Sequence, residues 1–381
     1  MSHFTVTICL DDSTGQLARA AAISRQPGTP GGFLYKVIEQ RVSEALAPFD
    51  ENTEVTPYRS YEEGGPEDHW LISSIRRGAE QHRQLQEQGA EALALQRVLA
   101  RDSSFPLEDA AAMVTEHAAE WARDAEQAAT LPEHLTWADV VRVYKERFGD
   151  DGDEPLHLDE DGRAYTMTTY NPGSKWDWWA IGGRWTGYYP YRRNTKATVI
   201  TGEAGLMTDP AAPGRCDGGP LSALDLDAMR TDAAAKALKR FQLYQETVKG
   251  TPEALPWSVF AENISEGSGY TRDQARAEYD SQPRVERLNA TEEFGGIFAE
   301  DPIPEFAGVT AEVYAERARA RAVPGSALLT ADGRWMAPGR MGWFAMSDDD
   351  ESSRIGYQEA ANAYIGSLPD STWLVTADCH I

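Results

Sequence analysis

The chain has 381 residues, of which 41% are hydrophobic and 25% charged, enough apolar material for a substantial core. Its 36 Lys and Arg against 61 Asp and Glu leave a formal charge of −25. That balance speaks against direct duplex DNA binding, which draws its affinity from basic side chains neutralising phosphates. No run approaches the roughly 20 apolar residues needed to span a bilayer, so no membrane partner is expected.

Residues 2–10 alternate. His3, Thr5, Thr7 and Cys9 fall on one face and Phe4, Val6, Ile8 and Leu10 on the other, which predicts a half-buried strand. The opening lacks a basic leader and runs straight into Asp11 and Asp12, so it reads as a strand and not a signal peptide. The Gly/Pro-rich stretch 26–32 leads into a helix near 33–47. From about 77 to 148 good helix formers dominate, divided by Pro106 and Pro132 into three pieces. Val98, Met113, Trp121, Trp137, Val140, Val141 and Tyr144 supply its apolar faces. The acidic stretch 149–155 lacks the terminal Glu of a calcium loop, because position twelve from Asp150 is Asp161, and it reads as a solvated loop.

Strands follow at 164–170 and 186–191, then a Gly/Pro-rich loop at 202–221 and a helix at 221–248. Short helices near 271–280, a helix at 310–322, a hairpin over 327–336 around Asp332-Gly333, and a helix at 352–366 precede a last strand at 373–381. The expected fold class is α+β: a mixed or antiparallel sheet including both chain termini, covered by helices. The expected organisation is one core domain, 1–76 with 149–381, carrying a helical insertion at 77–148. Cys9, Cys216 and Cys379 lie far apart with no CxxC spacing, which points to a reducing, cytoplasmic setting and away from a disulfide framework or structural zinc.

One segment concentrates chemistry. NPGSKWDWWAIGGRW, residues 171–185, holds four tryptophans, three charged side chains and three glycines. Ser174 stands three residues before Asp177, a capping-box spacing that predicts a short helix over 175–181 ending at Gly182-Gly183. The two glycines permit positive φ and bring Arg184 back toward the turn. Tryptophan faces stack on rings or attract cations, and Arg184 can fork onto a carboxylate or phosphate. Asp177 against apolar rings suits an acid or base. The competing reading is a tryptophan-rich core corner in which Asp177 and Arg184 simply pair.

The last strand forms the second constellation. Trp373, Val375, Ala377, Cys379 and Ile381 share one face; Leu374, Thr376, Asp378 and His380 share the other. Should this strand lie beside the first, His3 and Thr5 would meet Asp378 and His380, a group suited to orienting an imidazole or binding a metal. The competing reading is an exposed polar face. The other five histidines form no ligand spacing, so no metal is assigned, and the absence of a redox-cofactor motif leaves the cofactor unknown.

Five stretches carry a resemblance: MSHFTV at the start, LAPFDENTEV at 46–55, TTYNPGSKWDWWAIGGRWTGYY at 168–189, GRMGWFAMSDDDE at 339–351 and the ending LPDSTWLVTADCHI. Together they resemble a set of uncharacterised proteins of bacteriophages and bacteria. The resemblance covers about half the chain, and the stretches at about 11–45 and 60–150 are longer than usual in that set. It implies a phage or mobile-element setting, with host-directed or anti-defence roles, but no activity.

Two function classes follow. The first is a ligand-binding protein or an enzyme of the hydrolase or transferase type, with an anionic or nucleotide-like small molecule as partner. Its ligand would meet Asn171, Lys175, Trp178 and Arg184, with Asp177 and His380 as acid and base. The alternative is a non-catalytic acidic protein, of DNA-mimic or anti-defence type, that binds a basic host protein.

Overall fold

The computed structural model describes residues 3–24, 28–90, 92–95, 106–149, 155–264, 270–295, 301–339 and 348–381. The chain forms two compact units, Met1–Thr53 with Pro172–Ile381, and Glu54–Asn171.

In the first unit the elements that position the site are, in chain order, β1 (His3–Leu10), α1 (Gln16–Ile23), α2 (Phe33–Leu46), β2 (Trp178–Gly183), β3 (Glu203–Ala204), β4 (Gly218–Pro220), α3 (Leu226–Val248), α4 (Ala311–Arg321), β5 (Ala327–Leu329), β6 (Trp335–Met336), α5 (Glu351–Ser367) and β7 (Trp373–His380). The sheet runs β6-β5-β1-β7-β2-β3, and β4 also pairs with β7. β1 and β7 pair antiparallel over eight residues, from His3 opposite His380 to Leu10 opposite Trp373. β5 runs parallel to β1, so the sheet is mixed, and the expected α+β class with both chain ends side by side is what forms.

The expected half-buried first strand is corrected. Both faces of β1 and β7 are covered. Phe4, Val6, Ile8 and Leu10 join Trp373, Val375, Ala377 and Cys379 beneath Leu17 of α1 and Leu34, Ile38 and Val42 of α2. On the other face Cys9, Leu328 and Leu374 meet Tyr357, Ala361 and Ile365 of α5. The polar residues of that face are buried as well, Thr5, Thr7, Thr376 and Asp378 among them. Alternation separates polar from apolar faces, but a polar face supplied with internal partners need not face water. Thr7 shows how: its hydroxyl donates to the Val323 carbonyl at 3.1 Å and lies 3.0 Å from the Tyr189 hydroxyl. All three cysteines are buried and free, and burial pushes the Cys9 and Cys216 thiols up to about 12, away from thiolate chemistry.

A third core in this unit gathers Phe241 of α3 and Tyr314 of α4 with Tyr279, Leu288, Phe294 and Phe306. α3 starts at Leu226 and not at 221, because the Asp225 carboxylate caps it by accepting the Ala228 N–H.

Among the described residues the unit Glu54–Asn171 contains the helices Trp70–Gln88, Leu107–Ala128 and Trp137–Phe148 where three helical pieces are expected, the first of them starting at Trp70 and not near 77. It also contains a three-stranded antiparallel sheet in the order Tyr58–Tyr61, Ala164–Thr168, Leu156–Leu158. The boundaries therefore differ from 77–148. Short strands flanking a helical stretch belong with it, since Leu156 and Ala164 share a core with Ile72, Leu135, Val140 and Val141. Met113 is exposed and contributes no core face, while Val98 and residues 150–154 of the acidic stretch lie outside the described residues. Among the described residues no helix is long and apolar enough to cross a membrane.

Candidate functional site

Segment 175–181 is extended, which corrects the expected helix. Its backbone donors are taken by neighbouring segments: Lys175 N–H donates to the Phe49 carbonyl at 2.8 Å and Asp177 N–H to the His380 carbonyl at 2.9 Å. Four residues of β2 then register with β7, from Trp178 opposite His380 to Ile181 opposite Ala377. A helix broken at Gly182 would close barely two turns, too few to offset its nucleation, whereas an existing strand offers a partner for each residue. Extended geometry sorts the tryptophans. Trp176 is buried with its indole N–H donating to the Leu46 carbonyl, Trp179 packs on the main core, and Trp178 is 49% exposed on the opposite face.

That outward face carries two carboxylate-anchored imidazoles. His3 Nδ1 lies 2.8 Å from Asp378 Oδ1, and His380 Nδ1 lies 2.6 Å from Asp177 Oδ1. A carboxylate only accepts, so each Nδ1 carries the proton and Nε2 is left as the available nitrogen of the neutral ring. The ring centroids of His3 and His380 are 5.1 Å apart, and the Trp178 ring is 6.0 Å from His3. Asp378 is 1% exposed whereas Asp177 is 38% exposed, so one anchor is a buried floor and the other meets solvent. Asn52 holds the second anchor in place by donating to the Asp177 carbonyl at 3.0 Å. His380 Nε2 is buried and makes no hydrogen bond among the described residues.

Asp378 also ties in the glycine turn. Its Oδ2 accepts the Arg184 N–H at 2.9 Å, so one carboxylate joins His3 to the backbone of Arg184. Gly182 and Gly183 have φ of +78° and +55° and do curl the chain back, as their sequence implies. The reason is a pair of buried carboxylates: a Cβ on Gly182 would meet Asp217, and one on Gly183 would meet Asp378. Asp217 is fully buried and accepts from the N–H groups of Gly187 and Gly202 at 2.5 and 2.8 Å and the Thr186 hydroxyl at 3.0 Å. The turn's backbone donors are thus spent, Arg184 and Gly187 N–H on carboxylates and Trp185 and Thr186 N–H on the Gly182 and Gly183 carbonyls, and it is not a phosphate cradle. Arg184 itself is exposed and lines a cleft of about 470 Å³ with Trp185, Leu206, Met207 and Thr208.

The Asp177–Arg184 pair of the core-corner reading does not form among the described residues, where Asp177 pairs with His380, although Trp176 and Trp179 do pack in the core. Among the described residues neither Arg184 nor Lys175 forms an ion pair. Of the six sequence-chosen residues, Asp177, Trp178 and His380 come together, and Arg184 is tied to them by its backbone N–H through Asp378, while its side chain lines the cleft with Leu206 and Met207. Lys175 is two residues from Asp177, while Asn171 is buried in the other unit. His3 and Asp378 were legible in the two alternating strands. Asp217 and Asn52 were not, since each sits in a loop with no periodic signal.

Asp217 gives a pH expectation. Burial pushes its carboxyl above the usual carboxylate range, against the pull of its N–H and hydroxyl donors. With the folded pKa above the unfolded one, the native state binds this proton more tightly. Its contribution to stability is therefore greatest below the unfolded value, near 4, and falls as pH rises through the folded value. The stability difference between wild type and Asp217→Asn, measured by urea unfolding from pH 4 to 8, should shift against wild type as pH rises. A flat difference would contradict this assignment.

No protein-family model, no curated protein and no solved structure matches this chain.

Proposed function

We propose that this chain is an enzyme of the hydrolase or transferase type acting on an anionic, nucleotide-like small molecule, in a phage or mobile-element setting. The observation that carries the reading is the pair of imidazoles, each with Nδ1 anchored to a carboxylate, on one sheet face beside a half-exposed tryptophan. In that arrangement the Nε2 atoms are the working nitrogens, Trp178 is the stacking face, and Arg184 and Lys175 are the contacts for negative charge.

Arg184→Ala and Asp177→Asn test this. Arg184 is exposed and forms no ion pair among the described residues, and an asparagine at 177 still offers an oxygen to His380, so both variants should melt within a few degrees of wild type. Binding of nucleoside mono-, di- and triphosphates, followed by quenching of tryptophan fluorescence, should fall about tenfold or more in Arg184→Ala, as for a lost charge-assisted contact of about 1.5–3 kcal/mol. Unchanged affinity in Arg184→Ala, or no nucleotide binding by wild type, would remove the reading.

A second reading keeps support from charge. The unit Glu54–Asn171 holds 25 acidic against 11 basic residues, more than half of the net charge in under a third of the chain. Such a surface suits a basic host protein as partner. This reading requires the full chain to displace labelled duplex DNA from a basic host protein, while not binding the duplex itself.

A further inference from the structure

His3 and His380 stand directly opposite each other on adjacent antiparallel strands, with ring centroids 5.1 Å apart. We propose that they jointly hold one divalent transition-metal ion of the zinc class through their Nε2 atoms. This rests on the reading above that the imidazole pair is the working centre, and it replaces the sequence-based expectation of no metal.

Three independent observations converge on it. The first is spacing. With metal–nitrogen bonds of about 2.0–2.1 Å and tetrahedral angles, two imidazole rings sharing an ion have centroids about 5 Å apart. The rings already stand at that separation on adjacent, paired strands. The second is the outer shell. Metal-binding histidines characteristically donate their other N–H to a carboxylate, which fixes the tautomer, orients the ring and raises its basicity. Both rings have that partner, Asp378 for His3 and Asp177 for His380. The third is the orphaned nitrogen. His380 Nε2 is buried and without a hydrogen bond among the described residues, a costly state that an ion would relieve.

The chemistry of the donors selects the metal. Two neutral imidazoles favour zinc, copper or nickel over magnesium or calcium, which take oxygen ligands. The negative charge of Asp177 and Asp378, one bond removed from the rings, offsets the charge of the ion. Among the described residues no group of three His, Cys, Asp or Glu side chains is arranged to hold an ion. The protein would therefore supply two ligands and leave the remaining positions to solvent or substrate. An open site of this kind lets an ion polarise a bound water or a phosphoryl oxygen, which fits a hydrolase or transferase acting on anions.

The test uses the full chain without a histidine tag, stripped with chelator and titrated with Zn²⁺ by calorimetry and with Co²⁺ by visible absorption. One ion per chain is expected, with Co²⁺ bands of a four- or five-coordinate site. His3→Ala and His380→Ala, at the sheet rim, should each lower affinity at least about tenfold, and Asp177→Asn about 10–100-fold. His117→Ala and His134→Ala, half-buried and exposed respectively in the other unit, should bind as wild type does. No binding by wild type, or unchanged binding in both His3→Ala and His380→Ala, would overturn the proposal; the Co²⁺ bands of wild type decide the coordination even if a variant fails to fold. Nucleotide binding by the stripped protein is measured in parallel. Arg184-dependent nucleotide binding without ion binding removes the metal alone, and ion binding without any nucleotide binding removes the functional reading alone.

Discussion

Deleting residues 373–381 is expected to abolish cooperative unfolding of the unit that holds the site. β7 is central: it pairs with β1, β2 and β4 at once. Its loss would strip Trp373, Leu374, Val375, Ala377 and Cys379 from two cores, all of them buried. Large apolar side chains contribute about 1.5–3 kcal/mol each on burial. Their sum, with the ladder hydrogen bonds of three neighbours, reaches the whole stability of a domain, about 5–15 kcal/mol. Near-UV circular dichroism should lose the signal of the ordered tryptophans in β2, and calorimetry should show no transition for this unit. A truncated protein melting at the wild-type temperature would contradict the sheet order.

The next largest effect is expected from Gly183→Ala. A Cβ at this position would stand 2.5 Å from the Asp378 Cβ, in a buried region with no slack. The φ of +55° adds about 1–2 kcal/mol of backbone strain for an L residue. Overpacking a buried side chain adds about 1–3 kcal/mol. The total, about 3 kcal/mol, corresponds to a fall of roughly 6–12 °C in melting temperature. Gly162→Ala separates the two causes. Gly162 has a φ of +77° with nothing within 4 Å of an added Cβ, so only the strain applies and a loss of about 1 kcal/mol is expected. Equal losses in the two variants would show that Asp378 does not press on the turn. Because Asp378 also anchors His3, Gly183→Ala should weaken Zn²⁺ binding as well, while Gly162→Ala leaves it unchanged.

The tryptophan run shows where reading by spacing fails. Ser174 and Asp177 have the spacing of a capping box, and the glycines after Ile181 look like a helix stop. Helix rules count local partners only, and here the partners are Phe49 and His380, 126 and 203 residues from Lys175 and Asp177. The glycine pair was read correctly as a reversal. Its cause was invisible, because the carboxylates that need the space come from Asp217 and Asp378, in strands and loops distant along the chain. The insertion boundary failed for a related reason: a strand at 164–170 is expected from its alternation, but alternation does not say that it pairs with Tyr58–Tyr61 and Leu156–Leu158 and so belongs with the helices.

By itself the sequence determined the α+β class, the strand character of both ends and which residues alternate to which side of each strand. Periodicity is a local property, and eight alternating residues are enough to declare it. It also singled out Asp177, Trp178, Arg184 and His380 by composition. Only the tertiary structure decided that the polar side of that alternation is buried, and that His3 faces His380 across one ladder. It alone showed that the carboxylates of Asp378 and Asp177 anchor the two rings. Pairing partners, register and the satisfaction of buried charge depend on contacts between residues hundreds of positions apart, and no local pattern encodes those distances.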